Sequence, residues 1–288
     1  MQDTPTVADG PFVARDFFIL TRLAMNISDY KALLLERDGG VLTVTLNRPE
    51  TLNAFDEQMD IEMSRFFLDV AEDVETRVVV LTGAGRAFSA GGDIEHMQAV
   101  IDNPTLFLEG MQRAKKIVFS MLDCPKPVIA KINGHAIGLG ATIALFSDLS
   151  YAADHAKIGD PHVKVGFVAG DGGAVIWPQL VGYAKAKEYL LTGDLVTAQE
   201  AARLGLINHA VPADELDAAV DAMAKRLANG ASRAIEWTKA SINIGLKQLA
   251  HSILDASIAY EALSNLTQDH QEAVNAFREK REPVFKGS

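Results

Sequence analysis

The chain has 288 residues, 48% of them hydrophobic and 23% charged, with a formal net charge of −11. This length suits one large α/β domain, or one domain with a helical appendage, and the charged fraction is that of an ordinary globular protein. The acidity is dispersed and no basic stripe is present, which excludes nucleic acid as an expected partner; a phosphate-bearing ligand must be held by local donors.

Residues 1–26 read as an N-terminal extension, either disordered or packed as an arm. Its run Phe17-Phe18-Ile19-Leu20 is too short to span a bilayer, and Asp3, Asp9 and Asp16 precede it where a secretory signal would be cationic, so no membrane insertion is expected. Over residues 31–47, Leu33 to Leu35 and then Leu42 and Val44, alternating with Thr43 and Thr45, flank Asp38-Gly39-Gly40. This pattern predicts a β-hairpin. Met59, Met63, Phe66, Phe67 and Val70 recur at helical spacing across 56–73. The continuous apolar run Val78 to Leu81 predicts a strand covered on both faces. A helix over 105–122 and a strand over 128–132 follow. The single cysteine, Cys124, is placed at the end of that helix with a structural role; it has no internal disulfide partner, which fits a cytoplasmic location.

Strand–helix alternation predicts a largely parallel sheet. Beyond about residue 183 helical patterns dominate, over 183–191, 198–204, 213–228, 232–248 and 252–279. The expected organisation is an α/β core over 27–210 and a C-terminal helical region over 211–288. GxGxxG after a first strand, GxxxxGK[ST], HExxH and metal-type Cys/His spacing are all missing, which argues against dinucleotide, P-loop and zinc chemistry.

Two glycine-rich stretches follow strands: Phe88-Ser89-Ala90-Gly91-Gly92-Asp93-Ile94 and Asn133-Gly134-His135-Ala136-Ile137-Gly138-Leu139-Gly140. Each brings unsatisfied backbone N–H groups to a helix start, and two such donors on one point bind a developing oxyanion. Together with "RPETLNAF" at 48–55, "YLLTGDLVTAQEAARLGLINHAVP" and the closing "DHQEAVNAFREKREPVFKG", these stretches resemble the signature segments of the crotonase (enoyl-CoA hydratase/isomerase) superfamily. Five segments agree in order, across roughly residues 30–287.

The resemblance implies a crotonase-like ββα spiral core with C-terminal trimerisation helices. It puts the oxyanion-hole N–H groups on Ala90 and Leu139, the latter where the family usually has glycine. Coenzyme A contacts are implied around Leu52, Ala54, Ser89, Ala90 and Ile94. Coenzyme A would arrive as part of an acyl-CoA substrate, with no permanently bound cofactor, and the protein would be a homotrimer or homohexamer. Apolar stripes including Ile253, Ile258, Leu263 and Leu266 agree with such assembly.

The pattern breaks at the two hydratase glutamates, which fall on Thr142 and His162. A threonine hydroxyl does not ionise near neutral pH, so Thr142 is read as a water-holding or packing residue. His162 titrates near neutrality and occupies the position of a base; as a base it would lose activity when acid protonates it. Asp171 follows nine residues later, either as a helix N-cap or as a carboxylate that orients His162 or is itself the base. Aroyl-CoA dehalogenases carry an aspartate in this loop. β-Diketone hydrolases carry histidine and aspartate at this spacing, followed by a stretch similar to Val175-Ile176-Trp177-Pro178. Phe107, Met111, Phe167 and Trp177 are candidates for an apolar acyl pocket, and Asp93, Glu95, His96 and His135 are lesser titratable candidates. The expected function is an acyl-CoA hydratase/isomerase-like enzyme with His162 and Asp171 as acid/base. The alternatives are a carbon–carbon hydrolase of the same fold and a non-catalytic acyl-CoA binder.

Overall fold

A hairpin opens the structure, a computed structural model that describes residues 25–288; the expected extension over 1–26 lies almost wholly outside the described residues. Strands β1 (Leu33–Asp38) and β2 (Val41–Leu46) pair antiparallel, with Asp38 opposite Val41 across Gly39-Gly40. Helix α1 (Glu57–Glu72) is capped by the Asp56 carboxylate, which accepts from the Met59 N–H, and buries Met59, Met63, Phe66, Phe67 and Val70. Strand β3 (Val78–Gly83) then pairs parallel to β2 and is buried along its whole length.

The physical reason for that burial is a layer on each face. Val79 and Leu81 point into the principal core with the apolar face of α1. Val78 and Val80 point to the other side, where helix α7 (Leu216–Ala228) lays Leu216, Val220 and Ala224 over Ile129 and Tyr151. Strands β5 (Val128–Ile132), β7 (Leu149–Ala153) and β10 (His209–Val211) extend the sheet in parallel, giving the order β1-β2-β3-β5-β7-β10.

A second sheet positions the site. Strands β4 (Ala87–Ser89), β6 (His135–Ile137), β8 (Lys157–Gly159) and β9 (Val196–Thr197) lie in that order, the first three parallel. Ser89 pairs with Ala136, and Ile137 with Gly159, so the loops leaving β4, β6 and β8 emerge side by side. From them start helix α2 (Ile94–Asp102), helix α4 (Leu139–Phe146) and the short turn His162–Val165.

Helix α3 (Pro104–Asp123) ends at Cys124, which is buried; that burial pushes its thiol up. Helix α5 (Gly173–Thr192) is broken at Gly182 and includes the expected segment 183–191; α6 (Ala198–Leu204) follows. The C-terminal helices depart from the expected boundaries. No interruption separates 232–248 from 252: α8 runs unbroken over Ser232–Ser264, because Ala250, Leu254 and Ile258 carry one buried stripe through that point. The chain breaks later, where the Thr267 hydroxyl accepts the His270 N–H at 3.2 Å and starts α9 (Gln268–Glu279). Among the described residues no helix is long and apolar enough to cross a membrane.

Candidate active site

The coenzyme-type turn and the first glycine loop form one zipped unit. Leu52 and Asn53 both adopt left-handed backbone, at φ 57° and 58°. Asn53 is fully buried, and its amide donates to the Ala84, Ala87 and Phe88 carbonyls while its Oδ1 accepts from the Arg48 N–H. Ser89 Oγ donates to the Asn53 carbonyl at 2.8 Å, the Phe55 N–H to Gly91 at 2.7 Å and the Asp93 N–H to Phe55 at 3.0 Å.

This unit corrects one expected oxyanion donor. The Ala90 N–H donates to the Leu52 carbonyl at 2.9 Å and is unavailable to a ligand. Two residues on, after Gly91 turns the chain at φ 87°, the Gly92 N–H meets no protein acceptor among the described residues. Leu139, the first residue of α4, has an N–H in the same condition. Both Gly92 and Leu139 line a cavity of about 150 Å³; Ala90 is not in its wall. Of the expected coenzyme contacts, Ser89 and Ala54 are buried at 0% and 6% exposure, and the Ser89 hydroxyl is committed to Asn53, so neither side chain is presented outward. Leu52, Ala90 and Ile94 are partly exposed beside them.

The same cavity is walled by Val100, Phe107, Met111, Phe167 and Ile258 and holds His162, Asp171 and Glu261. Phe167 is held from behind by His270, whose ring stacks on it at 3.7 Å and whose Nδ1 meets the Val165 carbonyl at 2.6 Å. Trp177, expected in this pocket, is not there. It is fully buried in the core, with its ring 5.8 Å from that of Tyr189. His135 is exposed on β6 and its Nδ1 accepts from the Lys157 N–H, while Glu95 pairs with Arg278; neither reaches the cavity. Asp93 caps α2, accepting from the Glu95 N–H at 3.0 Å, and His96 lines the cavity beside Asp60.

His162 follows β8 and sits between two carboxylates. Asp160 Oδ1 contacts Nδ1, and Asp171 Oδ2 lies 3.7 Å from Nε2. The residue that orients the ring is therefore Asp160, whose role the sequence did not disclose, while Asp171 faces the other nitrogen beyond direct hydrogen-bond reach. Thr142, at 1% exposure, donates its hydroxyl to Asp171 Oδ1 at 3.1 Å; it positions the carboxylate. The helix N-cap residue here is Gly172, and the Gly173 N–H at the helix start still bonds to the Asp171 carboxylate.

Burial alone would lower the His162 pKa, but Asp160 and then Asp171 override it and hold the ring well above its ordinary value. That direction favours the protonated ring over the neutral base expected from the sequence. Asp171 is raised, chiefly by burial, with His162 opposing and Asp160 adding to the rise. Glu261, on α8, is pushed up to about 8 by burial and by the Asp171 charge, with His162 pulling the other way. Sequence reading missed Glu261. The available signal was its place, at i+3 and i+7, on the stripe that buries Leu254 and Ile258. Asp160, His162 and Asp171 bring one ligand atom each within 4.8 Å of the others, a spacing a metal ion would tolerate. The carboxylates, however, meet opposite ring nitrogens, which suits a shared proton better than a shared ion.

Residues 36–288 match the family model described as enoyl-CoA hydratase/isomerase. The chain belongs to this family. Its members include a crotonyl-CoA hydratase from Syntrophomonas wolfei, 33% identical over 89% of this chain and 98% of that protein. A crystal structure of an enoyl-CoA hydratase/isomerase from Mycobacterium paratuberculosis is similar at a TM-score of 0.83 and 37% identity, covering 86% of this chain and 99% of that one. A β-diketone hydrolase from the cyanobacterium Anabaena is similar at a TM-score of 0.78 and 28% identity, over 83% and 96% of the two chains. Membership in the enoyl-CoA hydratase/isomerase family makes this an enzyme of the lyase or isomerase type, with the mixed α/β core and C-terminal helices of its neighbours.

Proposed function

We propose that the protein acts on acyl-CoA thioesters, polarising the thioester carbonyl on the Gly92 and Leu139 N–H groups and moving the α-proton with the Asp171–His162 pair. The observation that carries this reading is the shared wall: two backbone donors without protein acceptors line the same cavity as a buried carboxylate and an imidazolium. Donors fixed in place before reaction stabilise an enolate oxygen without reorganisation. Asp171, steadied by the Thr142 hydroxyl, accepts and returns the α-proton; the His162 imidazolium, steadied by Asp160, offsets the charge that Asp171 carries between those steps.

The coenzyme portion is proposed to lie along Leu52, Ala90 and Ile94, the partly exposed members of the expected set. Self-assembly into a trimer or hexamer through the C-terminal helices is part of the proposal. Ile258 does not serve it, because it is buried at 3% in the chain's own core, and Ile253 packs against that core. Trp237, Ile242, Leu263, Leu266 and Phe277 are the exposed apolar residues that support it.

Thermal unfolding with crotonyl-CoA, free coenzyme A and a cyclic 1,3-diketone tests the reading. Stabilisation by the thioester is expected. Indifference to every acyl-CoA, with cleavage of the diketone, would replace it by carbon–carbon hydrolysis, the activity that the similar β-diketone hydrolase is named for.

A further inference from the structure

Acyl-CoA hydration needs proton traffic at two places, the α-carbon and the oxygen on the β-carbon, and the pair just described serves only the first. We propose that Glu261 is a further catalytic residue: it hands a proton to the oxygen leaving the β-carbon of a 3-hydroxyacyl thioester, and takes it back from water in the reverse direction. The inference rests on the thioester reading above and sharpens it, since it makes the reaction a hydration/dehydration and not a double-bond shift, for which one proton-moving group at the α-carbon and its neighbour would suffice.

Four observations converge. Glu261 lines the cavity with His162 and Asp171. Its carboxyl has no hydrogen-bond partner among the described residues, so its proton is uncommitted. Its place is enforced: a Cβ added at Gly170 would stand 2.4 Å from the Ser257 carbonyl oxygen, 2.6 Å from Glu261 Oε2 and 2.8 Å from Glu261 Cβ, and only glycine lets α8 approach the Asp171 loop this closely. Ser257, one turn earlier on α8, donates to the Gly170 carbonyl at 2.8 Å and to Leu254 at 3.1 Å, which locks helix to loop. Fourth, the resemblance set out above puts the family's two acidic positions on Thr142 and His162, which leaves the second proton-moving carboxyl to come from elsewhere. The titratable groups facing Glu261 are Asp160, His162 and Asp171; burial with the two carboxylates keeps it protonated up to about 8.

The step balances without a further reactant. In dehydration the α C–H bond breaks and its proton goes to Asp171. The electron pair, held as the enolate at the Gly92 and Leu139 amides, forms the Cα–Cβ double bond. The Cβ–O bond breaks as the Glu261 proton passes to the departing hydroxyl, and water leaves. Asp171 ends protonated and Glu261 ionised, and exchange through the cluster and solvent restores both.

Two assays separate the roles. Deuterium exchange at the α-carbon of butyryl-CoA in heavy water reads the enolate step alone; dehydration of 3-hydroxybutyryl-CoA reads both. In Glu261→Gln, dehydration is expected to fall at least ~100-fold, the scale of one positioned general acid, while exchange falls less than ~10-fold. Because the acid must be protonated, wild-type dehydration should decline as pH rises through about 8, and this basic limb should vanish in Glu261→Gln. Should that variant fold poorly, Glu261→Ala, which removes the carboxyl without burying an unpaired amide, is expected to show the same split. Equal loss of both activities, loss of neither, or an unchanged basic limb overturns the assignment. So does a wild type that exchanges but dehydrates no 3-hydroxyacyl thioester. A wild type that does not exchange at all sinks the thioester reading and this assignment together.

Discussion

Replacing Asp160 by asparagine tests the claim that His162 is an imidazolium held from both sides. Asp160 Oδ1 meets His162 Nδ1, and its side chain is fully buried, with Oδ2 lacking any protein partner. Burial works against the charged ring, and Asp160 is the largest influence in its favour. A hydrogen bond to a charged group is worth ~1.5–3 kcal/mol net. At 1.36 kcal/mol per pKa unit, losing it lowers the His162 pKa by roughly 1–2 units. Ring carbon and nitrogen shifts followed by NMR across pH give the pKa directly, and kcat/KM over the same range gives its kinetic image. A stability consequence runs in parallel. A folded-state pKa above the unfolded value of about 6.5 contributes stability that is complete below the unfolded value and is lost as pH rises through the folded one. Wild-type protein should therefore lose this increment on the alkaline side, and Asp160→Asn should lose it at lower pH. A His162 pKa unchanged within roughly half a unit would refute the reasoning, because the ring would then owe its charge to Asp171 alone.

Gly91→Ala places a β-carbon at φ 87°, 2.9 Å from the Ile137 carbonyl oxygen. It should cost about 1–3 kcal/mol of stability and a larger share of activity, by turning the Gly92 amide; circular dichroism melts alongside thioester exchange would show it. Asn53→Ala removes the donor shared by the Ala84, Ala87 and Phe88 carbonyls; Ala87 keeps the Asn133 amide, and a buried carbonyl left without a donor, as at Phe88, costs ~1–3 kcal/mol. One such cost alone corresponds to a Tm lower by roughly 2–12 °C, measurable by calorimetry. Light scattering at micromolar protein is expected to give the mass of a trimer or hexamer, and Leu263→Glu with Leu266→Glu, at 61% and 65% exposure in the single chain, should reduce it. A monomeric wild type would contradict the assembly proposal.

The layered core was legible because burial writes directly on composition. Val78 to Leu81 is apolar without alternation since α7 covers one face and the principal core the other, and the 128–132 strand was readable for the same reason. The join between 248 and 252 was misread because no proline, glycine or cap marks a continuation; only the stripe through Ala250 and Leu254 does. At the site, residue types were visible but directions were not. Ala90 and Gly92 are two residues apart and one positive φ reverses which of them looks outward, a fact carried by the turn at Leu52, 38 residues before Ala90 in the chain. The partners of His162 illustrate the other limit. Asp171 was identified by its spacing, whereas Asp160 acts through a local bend after β8 and Glu261 through a helix 99 residues away, and neither leaves a periodic trace.

The interlock of residues 48–55 with 89–93 has a practical meaning for anyone transplanting specificity between relatives. Ser89 to Asn53, Ala90 to Leu52, Phe55 to Gly91 and Asp93 to Phe55 join the two stretches, with the Arg48 guanidinium on the Asp93 carboxylate, while Asn53 also holds Ala87 and Phe88 just ahead of the second; together they form a single bracket. A chimaera that exchanges only the glycine loop inherits a foreign hinge plate, and its polarising amide would sit at an angle chosen by the wrong parent. Exchanged as a pair, the stretches carry their own alignment, so the tractable unit of inheritance in this active site is two separated pieces of sequence, moved together.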